Sequence, residues 1–330
     1  MKVVAYSAKA FEKELLAKFN HKKHDITLIS NPLSLETIEY ALDKDAVLVF
    51  TNDDVSAPIV NKLADLGVKY IATRSTGTDH IDKQAAQKRG VKIENVPGYS
   101  PQAIAEHSVA MAMCLSRHLI QSSIRGRKFD FQLDGLTGFN FYGKTVGIIG
   151  LGNVGLATAS IYIGLGCRIL GYDVNYPKTL HSIEKTPLNE LISQSDIISL
   201  HVPLTADTKY MIGMEEIETM KTGVMLINTA RGGLINTEAA LKGIENGKIA
   251  YLGIDVYEHE KSLFFEDHHD DEIKDPLLEK LIAFPNVLVT PHQAFLTDEA
   301  LGQIAEQTIK NLDLWALNDQ KENFAGAGRL

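Results

Sequence analysis

One short run limits what this 330-residue chain can fold into more than any other: Gly150-Leu151-Gly152-Asn153-Val154-Gly155. The spacing G-x-G-x-x-G is common by chance, so its setting gives it meaning. An apolar, strand-like stretch, residues 145–149, precedes it, and a helix-like stretch, residues 156–162, follows. In such a strand–turn–helix Gly150 permits the tight turn, Gly152 lets backbone approach a pyrophosphate, and Gly155 lets the helix pack on the strand. The helix start then offers unpaired N–H groups and the positive end of its dipole to phosphate. A second strand pattern ends at Asp173, where a carboxylate accepts both hydrogen bonds of an adenosine ribose diol and repels a 2′-phosphate. The motif therefore points to NAD rather than NADP, with Lys178 a nearby cation that argues the other way. A look-alike lies just upstream: Gly138-Phe139-Asn140-Phe141-Tyr142-Gly143-Lys144-Thr145 has the letters of a nucleotide-triphosphate loop. That loop needs a strand before it and a helix after it, and here the strand comes after, so ATP binding is set aside.

The rest of the chain supplies the matching scaffold. Short apolar strands at 145–149, 167–172, 196–200, 224–228, 250–254 and 287–290 alternate with helical periods, which is the doubly wound dinucleotide-binding design. An earlier series, at 3–6, 26–29, 46–50, 68–73 and 91–96, alternates with helical patterns at 8–19 and 34–42. Such runs imply a second parallel sheet covered on both faces. The expected fold class is α/β with two Rossmann-like domains. A dinucleotide-binding domain, 101–297, is inserted into a discontinuous, flavodoxin-like substrate domain of 1–100 and 298–330. Residues 100–125 read as one helix with a broad apolar face, suited to a sister subunit or to bridging the domains. Residues 297–317 read as a helix that returns to the first domain, with a frayed tail from 318.

Composition removes other classes. A net charge of −9 gives no basic face for nucleic acid. Cys114 and Cys167 are too few for a disulfide framework, which suits the reducing cytoplasm. No signal peptide is evident at the start. Residues 145–167 carry no charge and are long enough to span a membrane, yet they split into strand and helix halves around six glycines, so no membrane span is expected. His259, His268 and His269 among Glu258, Glu266, Asp267, Asp270, Asp271 and Glu272 have no zinc or calcium spacing, so no metal is expected.

Three polar side chains fall just past strand ends, where open α/β sheets place their ligands. They are Arg231 in Asn228-Thr229-Ala230-Arg231-Gly232-Gly233, Glu260 in Asp255-Val256-Tyr257-Glu258-His259-Glu260, and His292 in Pro291-His292-Gln293-Ala294-Phe295. A 2-oxo acid needs a planar cation for its carboxylate, a proton donor for its carbonyl and a group that orients the donor, and Arg, His and Glu supply these.

With these runs, and with Arg74-Ser75-Thr76-Gly77-Thr78-Asp79, the chain resembles the D-isomer-specific 2-hydroxyacid dehydrogenases, fermentative D-lactate dehydrogenases above all. The resemblance covers nearly the whole chain. It implies that Arg231 clamps substrate, that Glu260 pairs with His292, and that His292 is the acid/base. It also implies that Asp255 and the Thr229-Ala230 backbone lie near the nicotinamide. Asn153, Val154, Val202 and Pro203 would contact pyrophosphate and adenosine. Tyr99 would line the substrate pocket, while Thr76 and Gly77 would offer N–H groups to the carboxylate. The expectation is a homodimeric or larger NAD-linked enzyme that interconverts pyruvate and D-lactate in an interdomain cleft. Enzymes for bulkier 2-oxo acids such as 2-ketoisocaproate or phenylpyruvate, and NAD-sensing corepressors of the same fold, are the alternatives.

Overall fold

The computed structural model describes residues 1–177, 182–261, 263–269 and 275–327, with backbone alone for 320–327. Lys178, Asp270, Asp271 and Glu272 lie outside the described residues. The chain forms two compact units, Met1–Ser100 together with the segment from Leu296 onward, and Pro101–Phe295.

The first unit holds a five-stranded parallel sheet of β1 (Lys2–Ala5), β2 (Asp25–Leu28), β3 (Ala46–Val49), β4 (Tyr70–Thr73) and β5 (Lys92–Glu94), in the order β2-β1-β3-β4-β5. Register pairs Val3 with Ala46 and Ala46 with Tyr70. Every residue of β3 and β4 is buried, which is why these strands read as unbroken apolar runs. Helices α1 (Ala10–Asn20), α2 (Ala57–Asp65) and α3 (Lys83–Arg89) connect them. Asp82 caps α3 by accepting from Ala85 N at 2.8 Å, and Gly90, at φ +69°, ends it. Residues 34–42 form a single 3-10 turn, Ile38–Ala41, instead of the expected helix. The hydroxyl of Thr37 bonds the Pro32 carbonyl at 2.5 Å and accepts from Ser34 N at 2.9 Å, so side chains compete there with the helical ladder.

The C-terminal helix runs Asp298–Ala327, so residues 318–327 of the tail expected to fray are helical, and 328–330 lie outside the described residues. Its Ile309, Leu312 and Trp315 close the core formed with Val3, Ala5, Leu48 and Ala72, and Trp315 stacks on Tyr70 at 4.6 Å. Asp313 binds both Lys23 and the buried His24.

In the second unit the expected helix 100–125 is broken. Its first part, α4 (Pro101–Ser116), buries Ala105, Val109, Met111, Ala112 and Leu115, whereas α5 (Leu119–Gly126) buries nothing. His118, in left-handed backbone at φ +50°, marks the break, and Phe139 N–H takes the Ser116 carbonyl. The sheet has seven strands, β6 (Thr145–Ile149), β7 (Arg168–Tyr172), β8 (Ile183–Lys185), β9 (Ile197–Leu200), β10 (Val224–Asn228), β11 (Ile249–Ile254) and β12 (Val287–Val289). All are parallel, in the order β12-β11-β10-β9-β6-β7-β8. Strand order therefore reverses between β6 and β9, and the crevice outside their carboxyl ends is the site such sheets offer a ligand. Helix α6 (Asn153–Gly164) follows β6 directly. No helix among the described residues is long and apolar enough to cross a membrane.

Candidate active site

The glycine turn has the shape its residues require. Gly150 sits at φ +100°, and a Cβ there would lie 2.6 Å from the His201 carbonyl and 2.9 Å from Val202 Cγ1. A Cβ on Gly155 would strike the Gly150 carbonyl, so α6 can approach the strand only without one. Gly152 differs: a Cβ there would meet no heavy atom within 4 Å. It is the N-cap of α6 with no side-chain cap, so the amides at Asn153, Val154 and Gly155 begin a helix whose end faces open space. That opening fits a pyrophosphate. Asp173, just past β7, accepts from Leu151 N at 2.7 Å and from Asn175 N at 2.8 Å, which fixes its carboxylate beside the turn with acceptor positions to spare. Pro203 takes the Thr208 hydroxyl on its carbonyl at 2.7 Å, which shapes the loop after β9.

Arg231 is set by the turn after β10. Asn228 holds that turn at two points: its Nδ2 donates to Arg231 O at 2.8 Å, and its Oδ1 accepts from Ala230 N at 3.0 Å. The guanidinium Nη1 donates to Ala230 O at 2.7 Å, which orients the half-buried fork. Thr229 is buried.

Glu260 and His292 meet. Glu260 Oε1 lies 2.8 Å from His292 Nδ1, while Oε2 accepts from Tyr257 N at 3.0 Å. A carboxylate only accepts, so Nδ1 carries the proton and Nε2 is the nitrogen left to act. Both side chains are mostly buried, and the Phe265 ring lies 5.9 Å from the imidazole. Asp255 does something the sequence did not reveal. Its carboxylate, fully buried, accepts from Thr290 Oγ1, Gln293 N and Ala294 N, so it grips the His292 turn.

Thr76, Gly77 and Tyr99 belong to the other unit. Thr76 and Gly77 follow β4, with the Thr76 carbonyl held by Asn95 Nδ2 at 2.7 Å and the Gly77 carbonyl by Ser75 Oγ at 2.8 Å. The Thr76 hydroxyl donates to Val96 O, and Tyr99 follows three residues on, half-buried. Arg74 in the same run is structural: its buried guanidinium makes two bonds to Glu12, at 2.9 and 3.0 Å. Among the described residues no three His, Cys, Asp or Glu side chains group as metal ligands.

A model of the D-isomer specific 2-hydroxyacid dehydrogenase NAD binding domain matches residues 109–294. The chain belongs to the D-isomer-specific 2-hydroxyacid dehydrogenases. The D-lactate dehydrogenase of Escherichia coli (strain K12) is 43% identical over 316 residues, 94% of this chain and 96% of that one. The solved pyruvate reductase of Chlamydomonas reinhardtii superposes with a TM-score of 0.90 at 39% identity, over 96% of this chain and 97% of its own. The D-lactate dehydrogenase of Aquifex aeolicus, solved with NAD and lactic acid, gives 0.87 at 32% identity, over 97% and 96%. This dehydrogenase is thus an NAD-binding oxidoreductase.

One residue beside the turn was invisible in sequence. His201 is half-buried as a residue, with Nε2 2.9 Å from Ser199 Oγ and a buried Nδ1 without a hydrogen-bond partner. Burial pushes its pKa down from the ordinary 6.5 to about 3. Burial also lowers that of His24. The unfolded chain therefore takes up protons below pH 6.5 that the folded one refuses, so stability falls with pH. For His201 the loss is at most ~1.4 kcal/mol per pH unit, from about 6.5 downward. Urea unfolding between pH 7 and 5 should show a smaller loss in His201→Gln than in the unmodified protein, and equal losses would reject the assignment.

Proposed function

We propose that this dehydrogenase reduces pyruvate to D-lactate with NADH and catalyses the reverse oxidation. The observation that carries the reading is the His292–Glu260 pair at 2.8 Å, past the strand ends of the NAD-binding unit that also holds Arg231. Arg231 binds the substrate carboxylate through two parallel N–H···O bonds and fixes the plane of the 2-oxo acid. The bound cofactor supplies the hydride that C2 accepts. His292, protonated, donates from Nε2 to the carbonyl oxygen, and in the oxidation the neutral ring takes that proton back. Glu260 keeps the Nδ1 proton in place and so fixes the tautomer and orientation of the ring. Thr76, Gly77 and Tyr99 are assigned to substrate binding as well, from the family resemblance. Asn153, Val154, Val202, Pro203, Thr229 and Ala230 line the cofactor, and free Cys114 and Cys167 suit a reducing cytoplasm.

Steady-state oxidation of NADH and of NADPH against a panel of 2-oxo acids tests this. Pyruvate with NADH should give the highest kcat/KM, and Asp173→Ser should narrow the preference for NADH. Equal use of both cofactors by the unmodified protein would remove Asp173 from the ribose site. A preference for 2-ketoisocaproate or phenylpyruvate would replace the substrate, and binding without turnover would leave a sensor.

The second copy in a homodimer docks on α5 and the segment after it. The buried face of α4 packs inside its own unit, which leaves α5, at the end of the stretch expected to meet a sister subunit, as the part free to do so. Leu119, Ile120 and Ile124 on α5, with Phe129, Phe131 and Leu133, are all exposed, Phe129 at 87%. Apolar patches of this kind mark interfaces. Light scattering should give a dimer or larger at micromolar concentration and a monomer for Phe129→Asp/Phe131→Asp; a monomeric unmodified protein would refute the assignment.

A further inference from the structure

His292 occupies left-handed backbone, φ +52°, which side-chain-bearing residues adopt only where their surroundings impose it. Asp255 imposes it. His292 N donates to the Asp255 carbonyl at 2.7 Å, while the Asp255 carboxylate takes Thr290 Oγ1 at 2.6 Å and the amides of Gln293 and Ala294 at 2.9 Å each. One carboxylate thus holds the chain on both sides of the imidazole. Because that carboxylate has no solvent contact, its place depends on a full set of donors.

The set is completed from far away in sequence. His107 on α4 brings Nε2 to 3.1 Å from Thr290 Oγ1 and 3.4 Å from Asp255 Oδ1. The Thr290 hydroxyl has one proton, and the 2.6 Å bond commits it to Asp255, so Thr290 Oγ1 accepts and His107 Nε2 carries the hydrogen. Helix α4 is a firm base for this contact, since it buries Met111, Ala112 and Leu115 in the same unit. We propose that His107 is a positioning residue for the reaction, acting through Thr290 and Asp255 to hold His292 at the angle at which it meets substrate. This rests on the reading of His292 as acid/base. Misplacing a reacting group by about 1 Å costs up to roughly a hundredfold in rate, so the arrangement has room to matter without touching substrate.

His107→Leu should lower kcat for 2-oxo acid reduction by roughly tenfold to a hundredfold, with NADH affinity by fluorescence titration and KM for the acid within about threefold. His107→Gln, which presents an N–H from the same helix position, should recover kcat to within about threefold of the unmodified protein. Thr290→Val, which breaks the relay while leaving His107 intact, should fall into the low range with His107→Leu. A His107→Leu protein with kcat within about twofold of normal overturns the proposal. So does a joint fall of kcat and NADH affinity in both the Leu and Gln variants, because that pattern is plain structural damage. If His107→Leu does not fold, Thr290→Val decides, and a normal kcat there overturns the relay. Absence of turnover in the unmodified protein defeats the functional reading and this one with it, whereas normal turnover with an unimpaired His107→Leu defeats this one alone.

Discussion

Replacing Arg231 with glutamine should lower kcat/KM for pyruvate by roughly two to four powers of ten while leaving NADH binding near normal. A bidentate guanidinium gives the substrate carboxylate two charge-assisted hydrogen bonds, each worth about 1.5–3 kcal/mol. Glutamine offers an uncharged amide in their place. Together the lost bonds amount to ~3–6 kcal/mol, at ~1.4 kcal/mol per power of ten. The turn itself should survive, because Asn228 anchors it through Arg231's backbone carbonyl rather than its side chain. Steady-state kinetics with a parallel NADH titration separates the two effects. A loss under about tenfold would mean that another residue holds the carboxylate.

Replacing His292 with alanine should cost kcat roughly two to four powers of ten, the usual worth of a positioned acid/base. Glu260→Gln should cost less, about tenfold to a hundredfold, because it removes one charged hydrogen bond and leaves the imidazole present. The two act as one device across the 2.8 Å contact, so the double variant should be no slower than His292→Ala alone. Independent, multiplying losses would show that Glu260 serves the protein elsewhere, for instance by anchoring Tyr257 N.

The sequence showed the fold class plainly because parallel strands buried on both faces are written as continuous apolar runs, as at β9 and β10, where every residue is buried. The glycine turn was equally legible, since Gly150 and Gly155 answer local steric demands that spacing alone expresses, while Gly152 leaves the helix start open. Strand β8 was not. It has three residues, Ile183–Lys185, at the sheet edge, two of them charged and exposed, and edge strands need no apolar run. The break at His118 was hidden too, because the partner that takes the Ser116 carbonyl, Phe139, arrives from later in the chain. At the site, Arg231, Glu260 and His292 could be named one by one from their places past strand ends. Their geometry could not. The left-handed backbone of His292 depends on Asp255 and Thr290, and His107 reaches both from α4, which no window of local sequence contains.

The central claim is a chemical outcome with a definite hand. Pyruvate and NADH are incubated with the unmodified protein, NADH loss is followed by absorbance, and the lactate formed is resolved by chiral chromatography. The account predicts D-lactate in one-to-one proportion to the NADH consumed. L-lactate as the product, or NADH that stays unoxidised while the protein binds it, would contradict it.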